Sequence, residues 1–332
     1  MRFLFLCKTA CLLLLFPVVA QALAFNAGNN WPGIFAGTVT PYKITVKGEL
    51  NSYALLTWKL TLKGRTLSKG RQEIRFLNRE TVTTKLPLQV PPLKPGVKLE
   101  ADLIVALAKE NPKGHKVQQR SKLMIYPPDV LQSEQSFYRR LNIQLFDPKG
   151  TTAKIFDDLK IPYTTLSITQ LTRPRDKGLV VVGSGFAFKT QQGLLDLLSE
   201  RAGEGQQILL LQPVSGAFSV SGLSTGAKNP PSSISFADSA IVPSFAKDLH
   251  WISDTSIKTP GLSLYARHQK VMLKVVDSTQ DSWDWVDISY RLSGGRLIVC
   301  MLPFDRLIYQ GPVPQLILGN LLAYTSGQTQ SE

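Results

Sequence analysis

Gly178-Leu179-Val180-Val181-Val182-Gly183 is a continuous apolar run closed at each end by glycine. A strand with one wet face alternates polar and apolar side chains. A run with no polar member is expected where a strand is buried on both faces of a parallel sheet. Working outward, Gln191 to Arg201 has the spacing of an amphipathic helix, with Leu194, Leu195, Leu197 and Leu198 on its apolar side. Gly203-Glu204-Gly205 stops it, and Ile208 to Leu211 is a second buried strand. Upstream, Asn142 to Phe146 reads as a short strand, Asp147-Pro148-Lys149-Gly150 as a turn, Thr151 to Leu159 as a helix and Tyr163 to Leu166 as a strand. Downstream come strands at Lys270 to Val276 and Arg296 to Met301, then a helix through Leu316, Ile317, Leu321 and Tyr324. Strand and helix in this rhythm predict an α/β three-layer unit with a mostly parallel sheet, whose ligands sit at the carboxyl ends of the strands.

The first part of the chain has a different period. From Leu56 to Lys63, Leu56, Trp58, Leu60 and Leu62 alternate with Thr57, Lys59, Thr61 and Lys63, a strand with one face buried. Gly64 and Lys69-Gly70 supply turn chemistry, with further strands at Glu73 to Leu77, Thr81 to Val90, Val97 to Leu107 and Val117 to Tyr126. This pattern, without a helix, predicts an antiparallel β-sandwich. Pro127-Pro128 and the polar stretch to Ser136 read as the connection between two domains. The expected organisation is a leader over 1–24, a sandwich over 25–128, a linker over 129–138 and the α/β unit over 139–328.

The leader has Arg2 and Lys8 around a short apolar core, Leu12 to Val19, and ends in Ala22-Leu23-Ala24, the small residues a signal peptidase needs. The expected location is therefore periplasmic or extracellular, with no stable membrane anchor after cleavage. Cleavage removes Cys7 and Cys11 and leaves Cys300 alone, so no internal disulfide forms and paired-cysteine metal sites are excluded. His115, His250 and His268 are too scattered to mark a metal site, and no cofactor is expected. The formal charge is +14. Residues 25–134 hold 17 Lys and Arg against 8 Asp and Glu, whereas residues 135–332 hold 19 against 16. The excess lies on alternate strand positions such as Lys59, Lys63, Arg71 and Arg75. That distribution argues against a nucleic-acid partner and leaves attraction to an acidic cell-surface polymer open.

The turn at Leu93-Lys94-Pro95-Gly96, feeding an alternating strand to Leu107, resembles immunoglobulin/fibronectin-like modules of exported bacterial enzymes. The stretch from about 140 to 326 resembles the flavodoxin-like, class I glutamine-amidotransferase-like fold, in the non-amidotransferase versions that follow a β-sandwich in exported glycoside-hydrolase-like proteins. The matching residues are Phe146-Asp147-Pro148-Lys149-Gly150-Thr151-Thr152, Val182-Gly183, Gly203-Glu204-Gly205 before Ile208-Leu209-Leu210-Leu211-Gln212, Gly294-Gly295-Arg296-Leu297-Ile298-Val299-Cys300, and Asn320-Leu321-Leu322-Ala323-Tyr324. The resemblance implies a nucleophilic cysteine after a central strand, with His and Glu to activate it. This chain departs at that point, reading Leu211-Gln212-Pro213-Val214-Ser215-Gly216, while Cys300 falls inside an apolar strand. No catalytic residue and no metal ligand is assigned, and the amidotransferase triad is absent.

Candidate ligand contacts are Ser184 and Ser215 in turns after buried strands, and Asp248, His250 and Trp251 in a long insertion over 213–262. To these we add Trp283, Asp284 and Trp285, where two tryptophans two apart on one strand would form a stacking platform for sugar rings. The expected function is an exported non-catalytic binding or scaffold protein at the cell envelope, with polysaccharide or an envelope protein as partner. The competing expectation is a carbohydrate-active hydrolase at the sheet crevice, with Asp248, His250, Asp284 or Asp287 as acid and base.

Overall fold

The computed structural model describes residues 24–26, 31–109, 116–131, 135–171, 178–191, 193–219, 231–236, 262–266, 269–273, 282–283 and 285–327. The first elements are all strands: β1 (Ala24–Asn26), β2 (Gly33–Phe35), β3 (Val39–Lys47), β4 (Tyr53–Leu62), β5 (Arg65–Arg75), β6 (Thr81–Gln89), β7 (Leu99–Lys109) and β8 (Lys116–Tyr126). They form a three-stranded sheet, β1-β3-β6, and a five-stranded sheet, β2-β8-β7-β4-β5. Inward residues of both sheets, among them Ile44, Val46, Leu56, Leu60, Phe76, Leu88 and Leu103, share one buried cluster. Lys59, Lys63, Arg71 and Arg75 face water, as the charge pattern requires.

Two details depart from the sequence pattern. The pairing of β4 with β5 shifts register between Leu60 and Thr61, with Leu60 opposite Ser68 and Thr61 opposite Thr66, so β5 carries one extra residue there, Leu67. Lys69-Gly70 is not a turn but lies inside β5. Gly70 pairs directly with Trp58, and a Cβ there would overlap the indole ring, so the glycine marks a close approach.

The chain continues through α1 (Gln135–Arg140), β9 (Gln144–Phe146), α2 (Thr151–Asp158), β10 (Thr164–Thr165), α3 (Ile168–Leu171), β11 (Leu179–Val182), α4 (Leu194–Gly203) and β12 (Gln207–Leu211). Next are β13 (Gly216–Ser219), β14 (Ser233–Phe236), β15 (Leu262–Ala266), β16 (Gln269–Leu273), β17 (Ser282–Trp283), β18 (Trp285–Tyr290), β19 (Gly295–Cys300), α5 (Phe304–Leu307) and α6 (Pro312–Ser326). A seven-stranded sheet has the order β10-β9-β11-β12-β19-β18-β14. Its first five strands are parallel and β18 is antiparallel to both its neighbours. Val181, Leu209 and Ile298 pack toward α6, while Val180, Val182, Ile208 and Val299 pack toward α4. Both faces are therefore dry, as the unbroken apolar runs require.

The strand over 270–276 is only partly as expected. β16 belongs to a separate four-stranded sheet, β13-β15-β16-β17, and the stretch 213–262 contributes β14 to the edge of the large sheet instead of forming a plain loop. The expected linker is packed too where it is described. Val130, Leu131, Phe137 and Tyr138 are buried with Trp31, Tyr126 and Val313 of α6, so one core runs from the base of the sandwich into the α/β unit. Among the described residues no helix is long and apolar enough to cross a membrane.

Candidate functional site

The chain leaves β9 toward β10 on one side and returns to β11 on the other, so the loops after β9 and β11 diverge at a topological switch point. The first loop begins with Asp147, whose Oδ2 accepts the Ala153 N–H at 2.8 Å and caps α2. Gly183 of the second loop leaves room for this carboxylate: a Cβ there would lie 2.5 Å from Asp147 Oδ1. That oxygen is buried and has no hydrogen-bond partner among the described residues. Thr152 Oγ1 accepts the Ser184 N–H at 2.8 Å and donates to Ser184 Oγ at 3.3 Å, tying α2 to the end of β11.

The Gly183–Gly185 loop has no backbone donors left for a phosphate or an oxyanion. Gly183 N–H donates to Phe146 O at 2.8 Å, Ser184 N–H to Thr152, and Gly185 N–H to Gln212 O at 2.9 Å. At the end of β12, Gln212 is 5% exposed and has φ 40, a left-handed conformation that is strained for a residue with a side chain. Its N–H donates to Cys300 O at 2.6 Å. The turn at the end of β12 thus carries an amide, which is neither nucleophile nor base. Pro213 follows it and has no N–H to offer a developing oxyanion. Val214 N–H to Phe186 O at 3.1 Å and Phe188 N–H to Ser215 O at 2.9 Å complete a backbone seam between the loops after β11 and β12.

The candidate residues come together only in part. Ser184, 4% exposed, has its hydroxyl and its N–H engaged by Thr152, and Ser215 joins the seam through its backbone. Trp283 and Trp285 do not share a strand. The first is in β17 of the four-stranded sheet and the second in β18 of the seven-stranded one, so the single strand expected to carry both is two strands in two sheets. Asp248, His250, Trp251 and Asp284 lie outside the described residues. Asp287 is 3% exposed and fully engaged, accepting from Tyr324 Oη at 2.6 Å and Ser289 Oγ at 3.3 Å, with Arg296 Nε 3.5 Å away. It fastens β18 and β19 to α6. Sequence reading missed Asp147, Thr152 and Gln212 as the residues that shape the crevice. Their place at the first strand–helix junction and at a strand end was the available signal.

A space of about 500 Å³ lies beside the loops after β11 and β12, lined by Phe188, Lys189, Leu195, Asp196 and Gly216 among others, and further open space lies in two other regions. A cavity of about 520 Å³ lies at the amino ends of the parallel strands, lined by Arg140, Gln144, Gly178, Arg201 and Gln206 among others. A shallow groove of similar size crosses the outer face of the five-stranded sheet.

No family model and no curated protein matches the chain. Among solved structures it is similar to the E. coli chaperone DraB, at 10% identity over 33% of this chain and 57% of that one, with a TM-score of 0.23. It is also similar to the periplasmic chaperone SfaE, at 9% identity over 38% of this chain and 66% of that one, with a TM-score of 0.24. A glycosyl hydrolase family 2 member from Bacteroides cellulosilyticus matches at 12% identity over 78% of this chain and 36% of that one, with a TM-score of 0.23. The chain thus spans less than two thirds of the length of each. TM-scores this low carry no argument about function.

Proposed function

We propose that the chain is an exported, non-catalytic binding or scaffold protein of the cell envelope. In this reading an immunoglobulin-like sandwich is joined to an amidotransferase-like α/β unit that has lost its nucleophile, and the assembly works in polysaccharide handling. The observation that carries the reading is Gln212-Pro213: the strained strand-end turn persists with φ 40, but holds an amide where acyl chemistry needs a nucleophile. The neighbouring loop amides are engaged within the fold, which supports the same conclusion. Residues 1–24, with the pattern of an export signal, support the compartment.

One observation favours the hydrolase reading, the unpartnered Oδ1 of Asp147 at the switch point. Glycoside cleavage needs two carboxyl groups flanking the bond, and one unpartnered carboxylate oxygen does not supply that pair. The test is binding of purified residues 25–332 to a panel of neutral and acidic polysaccharides, scored beside release of reducing ends. Saturable binding without product is expected. Product release that Asp147→Asn abolishes would overturn the non-catalytic reading.

A further inference from the structure

The outer face of the five-stranded sheet sorts its cations into two sets. Three are matched by carboxylates: Arg75 by Glu73 at 2.8 Å, Arg120 by Asp102 through two bonds of 2.7 and 3.0 Å, and Lys122 by Glu100 at 2.5 Å. The Arg120 guanidinium holds the Asp102 carboxyl below the usual carboxylate range, and Glu100 raises Lys122 above the ordinary lysine value. Lys59, Lys69, Arg71 and Lys116 form the second set. They are exposed and have no carboxylate partner among the described residues, and all four border the shallow groove of about 520 Å³.

Their placement opposes stability. Lys59 and Lys69 are direct cross-strand partners, and Arg71 stands one step along the same face, opposite Thr57. Like charges opposite each other across a β-ladder repel and destabilise the pair. The groove floor between them is small and apolar, with Thr57, Ile104 and Ala106. Trp58 borders it but turns its ring inward, over Gly70, into the core between the sheets. It is 7% exposed, and its indole N–H is a buried donor with no acceptor among the described residues. A surface that gathers unmatched cations round an apolar floor has the complement of a ligand with spaced anionic groups and C–H faces.

We propose that this face binds an acidic polysaccharide. Carboxylate or sulfate groups lie against Lys59, Lys69, Arg71 and Lys116, and the sugar rings lie over Thr57, Ile104 and Ala106. The proposal rests on the polysaccharide reading above and gives it a polymer class and a surface. A nucleic acid fits less well, because single strands are held by bases stacking on exposed aromatic rings. Trp58 is buried, and the ring of Tyr53 already carries Arg75 at 5.6 Å. The excess of Lys and Arg over residues 25–134 adds long-range steering of a polyanion toward this half of the molecule.

The experiment compares the full chain with two triple variants that each remove three positive charges: K59Q/K69Q/R71Q on this face and R139Q/K154Q/K189Q elsewhere. The probes are polygalacturonate, dextran sulfate, neutral dextran and a single-stranded oligonucleotide, across a salt series. The full chain is expected to bind one or both acidic polysaccharides with affinity that falls as salt rises. The first variant is expected to lose at least tenfold, the second less than twofold. The melting temperature of the first variant is expected to hold or rise as the Lys59–Lys69 repulsion is removed, which separates lost binding from lost folding. Equal losses in both variants would reduce the effect to net charge and overturn the proposal, as would tighter binding of the oligonucleotide. Saturable binding of neutral dextran alone would overturn this inference while leaving the polysaccharide reading standing. Binding of none of the polysaccharides would remove both.

Discussion

The two ends of the parallel sheet differ in a way that runs against their sequence. At the carboxyl end, where α/β units place their ligands, the loops after β9, β11 and β12 are joined to one another. Thr152 holds Ser184, and Gly185 and Phe188 donate to the β12 loop. At the amino end, the strands open on a cavity of about 520 Å³, and the buried amide oxygen of Gln144, a residue 8% exposed, has no partner there among the described residues. The carboxyl-end loops are tied to one another yet keep the unpartnered Asp147 Oδ1 and a space of about 500 Å³ beside Phe188, Asp196 and Gly216, so the two ends differ in how their loops are joined. What distinguishes the two ends is where the hydrogen bonds go, which can be altered one residue at a time.

The largest effect is expected at the amino end, at Gly295. A Cβ there would overlap the Ala202 carbonyl and come within 2.9 Å of Gly205 Cα, both backbone, so nothing can swing aside. Gly295→Ala is expected to cost about 3 kcal/mol in a urea melt, by forcing the end of α4 off β19. A loss below about 1 kcal/mol would mean that the amino end is loose enough to give, and that its cavity is a consequence of slack packing.

Thr152→Val probes the carboxyl end. The side chain keeps its shape, but the Ser184 N–H loses its acceptor in a buried setting. Leaving a buried donor unmatched costs about 2 kcal/mol. Thr152→Ser is expected to restore most of the loss. An unchanged melt for Thr152→Val would show that the α2–β11 tie does not hold the crevice closed, and the contrast between the two ends would weaken.

Much of this arrangement was legible before the structure, and the rest was hidden for identifiable reasons. Gly178 to Gly183 and Ile208 to Leu211 announced strands dry on both faces, because an unbroken apolar run has few other uses. Leu56 to Lys63 announced a half-buried strand by its period. Gly70 was misread because a glycine at a turn and a glycine under an indole are identical in sequence, and only the Trp58 pairing tells them apart. Trp283 and Trp285 read as members of one strand, whereas they belong to strands of two different sheets. The strain at Gln212 depends on backbone torsion set by its neighbours. The unmatched cations were visible as an alternating charge pattern, but their isolation from Glu73, Asp102 and Glu100 needed the register of four strands.

The smallest effect tests the amino end most directly. Gln144→Met keeps side-chain length and volume and removes the amide whose Oε1 is unmatched. A buried acceptor without a donor is a cost to the folded state, so its removal is expected to be neutral or to stabilise by up to about 1 kcal/mol in a urea melt. A cavity of this size also has room for water. If ordered water or a bound molecule meets the Gln144 amide, Gln144→Met removes a satisfied group and destabilises by a similar amount. The sign of a change of about 1 kcal/mol therefore decides whether the amino end is an unfilled space in the packing or a polar chamber that keeps a guest. In the second case a guest sits at the amino end, away from the carboxyl-end loops where α/β units place their ligands.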